Sequence, residues 1–233
     1  MLRPYNSATE PVCQQSQRGT YAALFFAIFA ITPPPVSGYS SGNKAALMAL
    51  LMTPQQQIID WLRQDSERML ALCAARRLGL NDWCLGAGFV RNLVWDRLHG
   101  FTASTPLNDI DVIHFDPRHN DAERDQMLES RLLEWSTQPW SVKNQARMHL
   151  RSQRAPYRDS EDAISYWTEI ETAIGARLNT DDSITLIAPF GLQALFSDTI
   201  TYNAKSSNLA AFEQRVAEKQ WLQRWPKLQQ VKA

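Results

Sequence analysis

LGAGFVRNLVWDRLHG, residues 85–100, and NDIDVIHFD, residues 108–116, decide the fold of this chain. In the first stretch, with Trp83 and Cys84 just ahead of it, an apolar run predicts a short buried strand over 83–85. Gly86, Ala87 and Gly88 then read as a tight turn, and Phe89, Val90, Val94 and Leu98 mark one face of a helix that closes near Gly100. In the second stretch, IDVIHF predicts a strand over 110–115, starting at Asp109 and ended by Pro117.

Outward from this unit, Thr53 followed by Pro54 is a helix start. A hydroxyl stands at the N-cap, and a fixed φ stands where the missing N–H costs nothing. The spacing of Ile58, Ile59, Leu62, Met69, Leu70 and Cys73 predicts one helix or two short ones over 54–79. Further helices are expected over 121–135, 160–174 and 190–196, and a terminal amphipathic helix over 207–225 stopped by Pro226. Strands are expected from Trp140 and over 184–187. The class is therefore α+β, a small mixed sheet flanked by helices with a helical C-terminal part.

The chain has 233 residues, 24 basic and 24 acidic, so its formal net charge is zero. Without a basic excess to track a phosphate backbone, no long nucleic acid is expected as a partner. Cys13, Cys73 and Cys84 are odd in number and lack a CxxC pair, which argues against a disulfide framework and for a reducing, cytoplasmic compartment. Residues 1–44 read as an extension and 45–233 as the domain. The extension carries an apolar run, YAALFFAIFAI over 21–31, bounded by a polar tail and TPPPVSGYSSGNK. Eleven residues span about 16 Å as a helix against a hydrocarbon core of roughly 30 Å, so no membrane span is expected. Three readings stay open for it: a misassigned start with Met48 or Met52 as first residue, a partner-binding extension, or a secretion signal.

Asp109 and Asp111 are the sharpest chemical feature. A period of two puts both carboxylates on one strand face, with Ile110 and Val112 on the other. Like charges so close raise each other's pKa unless a cation sits between them, and Mg2+ or Mn2+ bound by oxygen meets that need. The Gly86–Gly88 turn opening a helix offers main-chain N–H groups and a helix N-terminus, a cradle for phosphates. Each feature alone has a structural explanation: solvent-facing acids at a strand end, and glycines serving only the turn. Together they make a metal-bound nucleotide a coherent ligand. Lys143, Arg147 and His149 are candidates for a basic wall. Trp140 and Trp167 read as packing rather than as a nucleobase platform, and His114 as a core or surface histidine.

On the wording LGAGFVRNLVWDRLHG, NDIDVIHFD, VKNQARMH and APFGLQALF, the chain from about Thr53 to Thr201 resembles the polymerase-beta-like nucleotidyltransferase superfamily. More closely it resembles a bacterial family of predicted small nucleotidyltransferases. The resemblance implies a metal-dependent enzyme that moves a nucleoside monophosphate from a nucleoside triphosphate to a hydroxyl on a small molecule or a protein. It implies Asp109 and Asp111 as catalytic metal ligands, Gly86 and Gly88 against the triphosphate, and Arg91 and Asn92 in the following helix; Lys143 and Arg147, read from the residues as the basic wall, are further candidate nucleotide contacts. It also implies a third carboxylate from a later strand, within 140–149, where Lys143, Asn144 and Gln145 stand. Asp116, Glu161 and Asp162 are the remaining candidates for that acid. The other reading is a nucleotide-binding or protein-interaction module without catalysis.

Overall fold

Thr53 starts the first helix as its sequence demands: its hydroxyl accepts from the Gln56 N–H at 3.2 Å and the Gln56 side chain accepts back from the Thr53 N–H at 2.9 Å, a reciprocal cap. The computed structural model describes Met52–Lys232. The expected extension over 1–44, with its apolar run, lies outside these residues. Helix α1 (Pro54–Gln64) ends at Asp65, whose carboxylate caps α2 (Ser66–Arg77), so of the two readings for 54–79 the pair of short helices is the one observed. The chain then forms β1 (Trp83–Gly86), α3 (Gly88–Leu98), β2 (Ile110–His114), α4 (Ala122–Trp135) and β3 (Trp140–Asn144). After a 3-10 segment over Gln145–Ser152 come α5 (Ser160–Ile164), β4 (Gly175–Leu178), β5 (Ile184–Ile187), β6 (Thr199–Thr201), α6 (Leu209–Lys219), α7 (Trp221–Arg224) and β7 (Gln229–Val231).

Five strands form one mixed sheet in the order β3-β2-β1-β4-β5, and β6 and β7 form a separate parallel pair. β1 runs antiparallel to both neighbours, while β2 and β3 are parallel. The register Leu85 to Val112, Gly86 to Gly175 and Asp111 to Ser141 therefore collects the end of β1 and the beginnings of β2, β3 and β4 at one end of the sheet. One sheet face packs Ile110, Val112, Leu85 and Val142 against the helices in the main core. The other carries Cys84 and Ile113 under Ile164 and Trp167. A second core joins Trp95 of α3 to Phe212, Val216, Trp221 and Trp225, which fixes the C-terminal helices to the helix that follows the glycine turn. Asp96 secures that joint, accepting from the Trp225 indole at 2.9 Å and from Thr105 at 2.7 Å through both N–H and hydroxyl.

The fold class agrees with the sequence expectation, while several elements differ, among them the helix expected over 190–196, which is only a 3-10 turn over Ala194–Phe196. The helix expected over 160–174 stops at Ile164, because the Asn203 amide donates to the carbonyls of Ser165 and Trp167 that would otherwise continue it. Strand β4 follows where none was expected. GARL lacks the β-branched residues that announce a strand and is held by pairing on both edges. The terminal helix breaks at Gln220, which sits at φ 51°, and β6 and β7 are too short and polar to be read from their residues. The strand begun at Trp140 ends at Asn144, so Arg147 and His149 fall in the 3-10 segment rather than on it.

Candidate active site

The turn that joins β1 to α3 is tighter than its residues prefer. Ala87 adopts φ 55° and ψ −121°, a region that glycine tolerates and a Cβ does not, and it is held there by an N–H bond to the Ile174 carbonyl at 2.9 Å. Gly86 has no room for a side chain: a Cβ there would lie 2.9 Å from Trp167 Cη2 and 3.1 Å from Ile113 Cγ1. Helix α3 has no side-chain cap at its start, so no side chain takes up the N–H groups of its first turn.

Asp109 and Asp111 stand at the beginning of β2, at the same sheet end. Asp109 is exposed and lies one residue ahead of the strand, and Asp111 is half-buried within it. Burial, and then the Asp109 charge, push the Asp111 carboxyl up to about 6, while Ser141 opposite it on β3, Lys219 and Arg91 pull the other way. Negative charge is thus crowded there and only partly compensated. Two carboxylates supply the hard oxygen donors that Mg2+ takes from a protein when phosphate and water complete its shell, so the pair fits such an ion. Among the described residues no group of three or more His, Cys, Asp or Glu side chains is placed to hold a metal, so the protein's share of such a site is these two acids.

Arg91 lies at the back of the cradle, its Nη2 3.5 Å from where a Cβ on Gly88 would stand. It is buried, donates from Nη1 to Thr172 Oγ1 at 2.6 Å and from Nη2 to Asn92 Oδ1 at 2.9 Å, and leaves Nε without a partner. The indoles of Trp95 and Trp221 lie 4.9 and 4.5 Å from its guanidinium carbon. Burial brings this guanidinium down to about 10, opposed by Glu169, Asp109 and Glu171. No described carboxylate forms an ion pair with it, so a buried cation faces a cradle with charge to spare. Asn92, also buried, orients that guanidinium through its carbonyl oxygen.

The structure thus brings Gly86, Gly88, Arg91, Asn92, Asp109 and Asp111 together. Lys143 pairs in register with Ile113, two residues beyond Ser141 and on the sheet face of Asp111. Arg147 lies at the far end of the sheet, in an ion pair with Asp125, which also accepts from His114 Nε2 at 2.9 Å and from the Asn144 N–H at 2.9 Å. Asn144 and Gln145 lie at that far end as well. Asp116 is there too, bound to His119, Arg124 and the Arg118 N–H, so it is no substitute acid. Asp162 is engaged by Arg158 and Lys205. What stands beside Asp111 on the neighbouring strand is the hydroxyl of Ser141. The alternation of Trp140 and Val142 inward with Ser141 outward carried that signal, but the register did not. Thr172 was likewise out of reach of the sequence, because it arrives from a distant segment. Trp140 and Trp167 pack as expected, the first in the main core and the second over Gly86.

Comparison with known proteins agrees with this geometry. A family model described as nucleotidyltransferase matches residues 73–230. A solved structure described as revealing a CCA-adding enzyme head domain is 32% identical, covering 76% of this chain and 96% of its own, with a TM-score of 0.69. A tRNA-processing enzyme complex and an apo form of a tRNA-processing enzyme are each 17% identical with TM-scores of 0.43, and the alignments span 67% of this chain and 42% and 43% of theirs. No curated protein matches. Among the described residues no helix is long and apolar enough to cross a membrane. With the family model spanning most of the domain and a solved relative matched over nearly its whole length, the chain belongs to the nucleotidyltransferase family.

Proposed function

We propose that this chain transfers a nucleoside monophosphate from a nucleoside triphosphate to a hydroxyl acceptor at the Gly86–Asp111 end of its sheet, with Mg2+ or Mn2+ as cofactor. The observation that carries the reading is the convergence of an uncapped helix start, a buried Arg91 without a carboxylate partner and a crowded carboxylate pair at one sheet end. Phosphate oxygens would meet the first-turn N–H groups of α3 and the Arg91 charge, while Asp109 and Asp111 would hold the cation. When bound, the ion supplies charge neutralisation and alignment of the attacking and leaving oxygens. The acceptor oxygen forms a bond to the α-phosphorus as the bond to the β-phosphate oxygen breaks; its proton passes to solvent and pyrophosphate leaves. The chain's own contribution is positioning and a fixed electrostatic frame.

A second reading of the acceptor, a nucleic-acid end, is favoured by two observations. The 32%-identical relative is described as a CCA-adding enzyme head domain, and residues 143–158 carry Lys143, Arg147, Arg151, Arg154 and Arg158 without an acid. One experiment addresses both. Purified protein is incubated with α-labelled nucleoside triphosphates, Mg2+ or Mn2+, and either a metabolite extract or total RNA, with Asp111→Asn as background. Label retained by one pool with the wild type and lost with the variant supports transfer and tells the acceptors apart. No transfer to either pool, with no metal-dependent nucleotide binding by calorimetry, overturns the proposal.

A further inference from the structure

In-line transfer puts the attacking oxygen and the departing pyrophosphate on opposite sides of the α-phosphorus. The sheet order β3-β2-β1 places the glycine turn on one side of the strand that carries Asp111, and β3 on the other. With the triphosphate at the glycine turn, β3 forms the acceptor's side of the cleft. On the sheet face of Asp111 that strand presents Ser141 directly opposite and Lys143 two residues on. Strand spacing and rise put the Cα atoms of Lys143 and Asp111 roughly 8 Å apart. Ile113, the register partner of Lys143, packs with Ile164 and Trp167, and beside this covered patch the lysine is half-buried.

The charge on this side is positive and uncompensated. Residues 140–149 contain no acid. The acids of α4 that reach β3, Glu129 and Asp125, accept from the N–H groups of Val142 and Asn144 at 3.0 and 2.9 Å, along the strand's outer edge. Arg147 is paired with Asp125 and Arg158 with Asp162, whereas Lys143 has no ion pair among the described residues. A half-buried ammonium without a counter-ion favours a ligand that brings one. We propose that the acceptor is a hydroxyl compound carrying an anionic group, a phosphate or a carboxylate, which Lys143 holds while the hydroxyl reaches the α-phosphorus beside Ser141. This rests on the transfer reading given above. The acceptor oxygen bonds to the α-phosphorus as the bond to pyrophosphate breaks, and the hydroxyl proton passes to solvent, since β3 offers no carboxylate to take it. A neutral sugar or alcohol would leave the ammonium unpaired.

The test splits a cell extract by anion exchange and offers the retained and unretained fractions to the full chain with α-labelled nucleoside triphosphates and Mg2+. Only the retained fraction should become labelled, and phosphatase and ribonuclease treatments of it tell a small phosphate, a carboxylate and a strand end apart. In Lys143→Met the amount of that fraction needed for half-saturation should rise on the order of tenfold, with Lys143→Arg within about threefold of the wild type. Calorimetric binding of ATP with Mg2+ should stay within about twofold in both variants, which separates an acceptor contact from a nucleotide contact. Labelling of the unretained fraction by the wild type would overturn the assignment without any variant. An unchanged half-saturation in Lys143→Met, or ATP binding lost there, would overturn it as well. A wild type that labels neither fraction also overturns it, and its titration with ATP and Mg2+ then decides whether the nucleotide site falls too.

Discussion

Arg91 Nη1 donates to Thr172 Oγ1 at 2.6 Å, a contact between residues 81 apart that ties the first turn of α3 to the segment entering β4. Both groups are buried, and a guanidinium that loses a partner there cannot turn to water. Thr172→Val keeps the side-chain volume and removes the acceptor. It should cost about 1–3 kcal/mol of stability. It should also weaken nucleotide binding, because the cation behind the cradle is no longer fixed; paired thermal melts and ATP titrations check both.

Ala87 carries strain at φ 55° and ψ −121° between the strand and the helix. Glycine adopts this conformation without a Cβ penalty, so Ala87→Gly should stabilise the protein by about 1 kcal/mol despite the added freedom of its unfolded chain. Valine at this position should lower the melting temperature by several degrees. Equal melting of the two variants in differential scanning calorimetry would show that the turn is not strained.

Gly86 and Trp167 form a coupled pair, since a Cβ at Gly86 would come within 2.9 Å of the indole. Gly86→Ala should cost about 1–3 kcal/mol by overpacking. In the Trp167→Leu background the ring edge is gone and the cost of Gly86→Ala should shrink, a compensating interaction in a double-mutant cycle. Additive losses would place the strain of Gly86→Ala in the backbone instead.

The first half of the fold was legible because each element there carries its own local signal: a capped start at Thr53, a GAG turn, an alternating DIDV strand. The second half was not, because its elements are held by tertiary partners. Asn203 ends α5 from nearly forty residues away, and β4 owes its extension to β1 and β5. The site divides the same way. The spacing of Asp109 and Asp111 and the glycines is local, and the resemblance added Arg91 and Asn92. Arg147 would share a strand parity with Lys143 only on a regular strand, whereas Asn144 turns the chain by accepting from the Ala146 N–H at 3.0 Å. Ser141 comes to the site through strand register and Thr172 through its bond to Arg91, which no local pattern encodes.

Asp125 gives the far end of the sheet a pH dependence that can be isolated. Burial acts to raise its pKa, but the bonds from His114, Arg147 and the Asn144 N–H together outweigh it, so the carboxyl is held below its ordinary value. A carboxylate whose pKa is depressed on folding contributes stability that is fully present above the unfolded value near 4 and is lost as pH falls through the lower folded value. Asp125→Asn leaves Arg147 without its counter-ion and should cost about 3 kcal/mol at pH 7. The difference between variant and wild type should hold from pH 7 to about 5 and then narrow as the wild-type carboxylate takes up its proton below about pH 4. Urea unfolding at intervals from pH 7 to 3 measures that difference directly. A gap that stays constant down to pH 3 would mean that the Asp125 charge does not stabilise the fold, and that the asparagine variant suffers only from altered packing.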